Sequence, residues 1–312
     1  MWLNSPASTF TCNLSEVRSQ IPAFDRRPLS LLQPHDGSLR AHDRLHVIVR
    51  TPFGADPDFV PIGVVSSDYT LVSHASLVDA VSRALTLAGL DAENLRADLT
   101  LTRFAERMSL AVYLPEAYAY DPGDGAKMAL RLECLNSVDG STRFRVLMGW
   151  YRFVCSNGLV VGVTQYEVHQ RHVGELDVAA VGDAVSSGIR QAEMDKANFW
   201  RWQSTKVAAE PFVKWIEKDL RGVWGFKAAT RAFHIAKSGF DVDLVGQFRD
   251  QSPTTIHVRR VKTVPGAPMG STNLFDLSQV LAWLANQRRD VQEQLQWREQ
   301  IPALLAKLSA TR

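Results

Sequence analysis

The sequence lacks the features of a secreted, membrane-spanning or disulfide-bonded protein. Its three cysteines, Cys12, Cys134 and Cys155, have no paired spacing, so we expect free thiols in a reducing cytoplasm. The longest apolar runs, such as residues 159–163, are far shorter than a membrane span. The first ten residues contain neither a basic region nor an apolar core, so we expect no secretory signal. With 46% apolar and 22% charged residues in 312, the chain can still bury a core.

Motifs of the common nucleotide- and metal-dependent enzymes are also missing. The sequence contains no GxxxxGKS/T phosphate loop, no GxGxxG between a strand and a helix, no GxSxG elbow and no HExxH helix. Each of these motifs places phosphate-binding backbone groups, a nucleophile or metal ligands at a fixed spacing. We therefore expect a non-enzymatic protein with no catalytic residue, no cofactor and no bound metal.

The apolar periodicity changes along the chain and indicates an α+β fold. Residues 73–89 repeat apolar positions every three or four residues and predict a helix that ends at a glycine. Residues 95–165 alternate and predict an antiparallel meander sheet. We expect an irregular N-terminal arm with short strands over residues 1–45, an α+β sheet domain over 46–175, and a mainly helical region over 176–312 packed on it.

Prolines and glycines predict the boundaries within the helical region. The pattern after residue 176 is broken near Pro211, and Gly239 ends a helix that starts near residue 225. A short strand, TTIHVRRV, lies in the loop that follows. The last helix or helix pair runs from Leu274 to Leu308, with an interruption predicted at Pro302.

The most distinctive stretch is GWYRFVCSNGLVVG at residues 149–162. Its alternation predicts a strand, a turn at Ser156-Asn157-Gly158 and a returning apolar strand, because Asn and Gly tolerate positive φ. On the residues alone this is a buried hairpin. A second interpretation makes Cys155 a nucleophile with His169 or His172 as its base, although a cysteine in a strand is more often a small buried apolar residue.

The same stretch carries a family resemblance. YRFVCSNGLVVG, followed by VHQRHVGE at residues 168–175, resembles the core motif of a phage/plasmid-like protein family of unknown function. Members of that family are encoded on prophages, plasmids and genomic islands, so the resemblance implies a mobile-element origin. The resemblance implies no catalytic residue. The matching positions are Arg152, Cys155, Asn157, Gly158, His172 and Gly174.

The near-neutral total charge of +2 hides one basic segment. Residues 196–262 contain thirteen Lys or Arg against six Asp or Glu, a local charge of +7, so the other 245 residues sum to −5. Large aromatic rings lie between these cations. Cations neutralise phosphates and rings stack on bases, which is the combination that single-strand binding uses. The alternative is a solvated lysine face over core rings. The candidate residues are Arg201, Lys214, Lys218, Arg221, Lys227 and Arg231 for phosphates and Trp200, Trp202 and Trp224 for bases.

These observations favour a nucleic-acid-binding protein of mobile-element origin. We expect its partner to be single-stranded DNA, with a role in recombination, replication or phage–host conflict, no membrane association, and a homo-oligomer as an open alternative. A second hypothesis is a protein-binding module, such as an anti-restriction or defence accessory, whose tryptophans anchor a partner. A third is a Cys/His or metal-dependent hydrolase built on Cys155, His169 and His172.

Overall fold

The chain folds into antiparallel sheets in its first half and mostly helices in its second, which confirms the α+β prediction. The computed structural model describes residues 7–142, 144–152, 159–166, 178–246, 251–267, 269–288 and 291–310. The strands are β1 (Ala7–Asn13), β2 (Phe24–Leu32), β3 (Leu39–Arg50), β4 (Val60–Ser66), β5 (Arg96–Thr102), β6 (Arg107–Tyr113), β7 (Met128–Ser137), β8 (Arg145–Arg152), β9 (Leu159–Tyr166), β10 (Phe240–Leu244) and β11 (Val258–Thr263). The helices are α1 (Leu14–Val17), α2 (His74–Leu87), α3 (Val178–Ser204), α4 (Ala209–Trp215), α5 (Arg221–Ser238), α6 (Leu274–Asn286) and α7 (Val291–Ala310).

A six-stranded antiparallel sheet forms the centre of the molecule. Its strand order is β1-β5-β6-β7-β8-β9, so β5 to β9 form the predicted meander. Leu99, Leu110 and Leu132 come from three successive strands and are each 0% exposed. They share one apolar core with Leu77 of α2 and Val185 of α3. The alternating pattern of residues 95–165 therefore places one sheet face against two helices.

Helix α3 lies very close to the sheet at a glycine. A Cβ atom built on Gly188 would lie 2.7 Å from Cβ and 2.9 Å from Cγ of Met148 on β8. Real Cβ atoms do not approach this closely, because non-bonded carbon atoms repel each other well inside their optimal separation of about 3.5–4.0 Å. Gly188 thus sets the spacing between α3 and β8.

Residues 7–45, within the arm with short strands predicted over residues 1–45, contain β1, β2 and the first part of β3. Strand β1 pairs with β5 and extends the large sheet, with Phe10 opposite Leu99. Strands β2, β3 and β4 form a separate three-stranded antiparallel sheet. Most of β2 and the first half of β3 are exposed, so these strands lack the alternation that marks a half-buried strand.

The predicted helix boundaries agree with the structure in part. Ser73 caps α2 through a hydrogen bond from the Ser76 N–H, and Gly239 ends α5 with φ of +73°. The predicted strand appears as β11, which pairs with β10. The predicted helix interruption at Pro302 is wrong, because Pro302 lies inside α7. Its ring is exposed, and buried leucines at 304, 305 and 308 hold the helix to the core.

Pro211 likewise lies inside a helix, in the first turn of α4. A first turn tolerates proline because its N–H groups have no partner within the helix. The chain breaks just before it, between α3 and α4. In the part of the chain that the structure describes, no helix is both long and apolar enough to cross a membrane.

Candidate functional site

The cations of the basic segment lie mostly at the surface. Twelve of the thirteen are described, and Arg249 lies outside the described residues. Ten of the twelve are exposed, whereas Lys196 and Arg231 are partly buried. The exposed set is Arg201, Lys206, Lys214, Lys218, Arg221, Lys227, Lys237, Arg259, Arg260 and Lys262.

Arg231 has a structural partner and leaves the candidate set. Its Nε and Nη2 donate to the two carboxylate oxygens of Asp241 at 2.8 and 2.6 Å. The Asp241 side chain is 6% exposed. Burial raises the pKa of Asp241, but the hydrogen bonds and charge of Arg231 bring it below the ordinary value. This pair joins α5 to β10, so Arg231 is not available to a phosphate.

Two of the three candidate tryptophans are also unavailable, because their rings belong to the core. Trp202 is 7% exposed and packs against Phe199. Trp224 is 7% exposed, stacks on Trp297 with ring centroids 4.3 Å apart, and donates to Gln300 at 2.7 Å. Both residues are therefore mostly buried and offer little ring surface to a base. The core interpretation of these rings therefore holds for Trp202 and Trp224.

Trp200 is the exception. It is 70% exposed on α3, next to the exposed Arg201. An exposed tryptophan leaves a large apolar area in contact with water. Its ring is free to stack on a base or to anchor a partner protein.

Lys214 and Lys218 line one groove together with Lys307 of α7. The groove has a volume of about 650 Å³ and is also lined by Trp215 and Glu217. We call it the basic groove. The sequence analysis did not single out Lys307, which is separated from the basic segment by 44 residues of chain. Only the packing of α7 beside α4 brings it there.

Two carboxylates, Glu217 and Asp219, line the basic groove together with the lysines, and Glu210 lies next to it on α4. Glu210 accepts from Lys214 at 2.7 Å, and Asp219 lies 4.0 Å from Lys307. Glu217 accepts from the hydroxyl groups of Ser252 and Thr254, and these hydrogen bonds lower its pKa. Exposed ion pairs of this kind contribute about 0–1 kcal/mol and exchange partners readily.

Arg201 lines a second groove beside the C-terminal turns of α7. This groove has a volume of about 320 Å³. Asn198 and Trp202 of α3 line one side, and Pro302 and Ala306 of α7 line the other. Arg201 donates to Asn198 Oδ1 at 2.8 Å, which keeps its guanidinium at the groove. The two grooves use adjacent faces of α7.

The remaining two candidates are exposed but lie outside the residues lining these grooves. The Arg221 guanidinium lies 5.2 Å from the centroid of the Phe226 ring. Lys227 is exposed on α5. Both can add to the local positive potential.

Arg152, the first residue of the family motif, is buried at 3% exposure. Its guanidinium donates to Asp124 and to the Ala126 carbonyl, and lies 3.4 Å from Gln279 Oε1. It thereby joins the end of β8 to the loop before β7 and to α6. Arg152 therefore has a structural role. The other motif residues, Cys155, Asn157, Gly158, His172 and Gly174, lie outside the described residues.

The hydrolase hypothesis rests on residues the structure does not describe, because Cys155, His169 and His172 all lie outside the described residues. The two described cysteines, Cys12 and Cys134, are free thiols. Burial is the main cause that raises the pKa of each, which disfavours the reactive thiolate form. Among described residues, no group of three or more metal-ligating side chains comes together.

Comparison with known families gave one match. Residues 61–255 match the Domain of unknown function (DUF932), which is more than half of the chain. The chain belongs to the DUF932 family. Comparisons with curated proteins and with solved structures returned no match.

The DUF932 segment is completed by residues on both sides of it. It begins in β4 and ends in the loop before β11. Outside it, β1 pairs with β5 and β3 pairs with β4. Lys214 and Lys218 belong to the DUF932 segment, whereas Lys307 does not. The basic groove is therefore formed jointly by the DUF932 segment and α7.

Proposed function

We propose that the chain binds nucleic acid, with single-stranded DNA as the expected partner, at the basic groove and the adjacent Arg201 groove. The observation that carries this proposal is the grouping of Lys214, Lys218 and Lys307 along one groove. Three ammonium groups along a single surface channel match the repeated charge of a phosphate backbone.

The proposed binding is mainly electrostatic. Phosphates would replace Glu210 and Asp219 as the partners of Lys214 and Lys307, at little cost because the Glu210–Lys214 pair is exposed and the Asp219–Lys307 contact is long. Release of condensed counterions from the strand then supplies most of the free energy of binding. Arg201 would hold the strand where it passes α7 into the second groove.

Trp200 is the candidate for base contact. It is 70% exposed on α3, outside the residues that line the two grooves, and base stacking on an aromatic ring contributes roughly 1–3 kcal/mol per base. With Trp202 and Trp224 buried, the proposed contact relies on phosphates more than on bases. We therefore expect weak sequence preference.

Charge reversal tests the proposal. Lys218→Glu with Lys307→Glu should weaken binding of a labelled single-stranded oligonucleotide by roughly tenfold or more, because two phosphate contacts become repulsive. Fluorescence anisotropy at low salt measures this affinity. The matched control, Arg83→Glu with Lys127→Glu, changes the net charge equally at exposed positions outside both grooves, and should keep most of the wild-type affinity.

The control also separates loss of the basic groove from a general effect of net charge on DNA affinity. Equal losses in the two double variants would contradict the basic groove as the binding site. Trp200→Ala alone should bind the oligonucleotide more weakly than the wild type. An unchanged affinity would show that Trp200 makes no stacking contact.

The mobile-element origin and a role in recombination, replication or phage–host conflict remain part of this proposal. Their support is the resemblance of the residue 149–175 region to the phage/plasmid-like family. A reducing cytoplasm is proposed from the unpaired cysteines. The protein-binding alternative uses the same exposed Trp200 as an anchor. It predicts a complex that survives nuclease treatment.

A further inference from the structure

Strands β2 and β3 extend beyond their sheet as a two-stranded ribbon. β4 pairs only with residues 45–50 of β3. Ser30 to Leu32 of β2 pair with Leu39 to Ala41 of β3 alone. A tight turn closes the tip, with the Gln33 N–H donating to the Ser38 carbonyl and Gly37 at φ of +68°. We call residues 29–44 the ribbon.

The ribbon exposes three leucines. Leu31, Leu32 and Leu39 are 51, 66 and 73% exposed. Leu32 and Leu39 are cross-strand partners, so their side chains lie together on one face. An isolated two-stranded ribbon is marginally stable in water, and exposed neighbouring leucines mark a surface that another surface covers.

The edges of the sheet are protected near the body but not along the ribbon. Pro28 lies on the edge strand β2 and Pro61 on the edge strand β4. Proline lacks an N–H and charged residues disfavour pairing, so Pro28 with Arg26 and Arg27 protects the inner part of β2. Residues 29–32, Leu-Ser-Leu-Leu, contain no proline or charge. The unprotected edge thus coincides with the exposed leucines.

The charges of the ribbon indicate what covers it. The ribbon has two arginines, Arg40 and Arg44, and two aspartates, Asp36 and Asp43. A phosphate backbone requires an excess of cations, which the ribbon does not have. A surface with both signs and a central apolar pair can complement itself, as an isologous contact between two copies requires.

We propose that the ribbon is a self-association surface whose partner is the ribbon of a second copy of this chain. Residues 29–32 of the two copies pair antiparallel and make a four-stranded sheet. The two β2 strands become neighbours at the centre of this sheet, so Leu31 and Leu32 of each copy lie against residues 29–32 of the other. This surface is separate from the basic groove.

Sedimentation velocity of the full chain over a concentration series tests the proposal. The wild type should shift towards the mass of a dimer as its concentration rises. Leu32→Glu with Leu39→Glu should remain a monomer, because facing carboxylates repel and cannot be buried unpaired. The matched control, Leu87→Glu with Met194→Glu, alters two exposed apolar residues elsewhere and should behave as the wild type.

Circular dichroism checks that the variants are folded. If the glutamate variant unfolds, Leu32→Ser with Leu39→Ser provides a milder change that should still weaken the dimer. A wild type that stays monomeric, or a glutamate variant that still forms dimers, would overturn the proposal. So would a ribbon variant that changes only DNA affinity, which would make the ribbon a nucleic-acid contact.

Discussion

At the scale of single residues, the clearest environment is that of His74, which the sequence marks only as a helix start. Its ring is 0% exposed. Nε2 donates to the Ala105 carbonyl at 2.8 Å, and Nδ1 accepts from Asn136 at 3.0 Å. Ala105 can only accept, so the proton lies on Nε2 of a neutral ring. Burial lowers the pKa of His74 to about 4.

This environment predicts a pH-dependent stability. The folded pKa is below the unfolded value, so the contribution of His74 is complete above pH 6.5 and decreases as the pH falls towards 4. From pH 7 to about pH 4.5 the wild type should lose roughly 2–3 kcal/mol more free energy of unfolding than His74→Gln. Urea denaturation at both pH values measures the difference. His42→Gln, on the exposed ribbon, should keep the wild-type loss. Parallel losses in wild type and His74→Gln would contradict this account.

Charge and burial of single residues differ in how well the sequence predicts them. The helical spacing of Lys214, Lys218 and Arg221 predicts that all three lie together, but Arg221 is not among the residues that line the basic groove with Lys214 and Lys218. The burial of Trp202 and Trp224 could not be predicted, since it depends on tertiary packing, which for Trp224 is the stacking of α5 on α7 at Trp297. Lys307 was missed for the same reason, because it joins the basic groove only through tertiary packing.

At the scale of elements, sequence patterns predict those elements that have one buried face. Strand β5 and the first part of β7 alternate because the core covers one side of the sheet there, whereas β8 is buried at nearly every position. Strands β2 and β3 were predicted only as short strands in an arm, because both faces of the ribbon are exposed. Pro302 lies inside α7 because the surrounding leucines hold the helix in place, so tertiary packing outweighs the local preference.

The close approach of α3 and β8 gives a prediction at this scale. Gly188→Ala should lower the free energy of unfolding by about 1–3 kcal/mol, because its Cβ would clash with Met148. Gly182→Ala, on the same helix with no atom within 4 Å of a built Cβ, should be neutral or stabilise by up to about 1 kcal/mol. Denaturant unfolding compares the two. Equal effects would show that the clash does not decide the outcome.

At the scale of the whole molecule, charge is distributed unevenly over a nearly neutral protein. The basic segment has a charge of +7 and the rest of the chain −5. Ten cations of that segment are exposed, and two of them meet Lys307 in the basic groove. The DUF932 segment contributes most of this surface, and α7 completes it. The ribbon lies in the N-terminal part of the chain and is nearly free of net charge.

The most direct test of nucleic-acid binding is the affinity of the wild type for labelled single-stranded DNA across a series of salt concentrations. We expect four phosphate contacts, from Arg201, Lys214, Lys218 and Lys307. The logarithm of the association constant should then fall against the logarithm of the salt concentration with a slope of about −3. Binding that is absent at low salt, or that does not change with salt, would contradict the account.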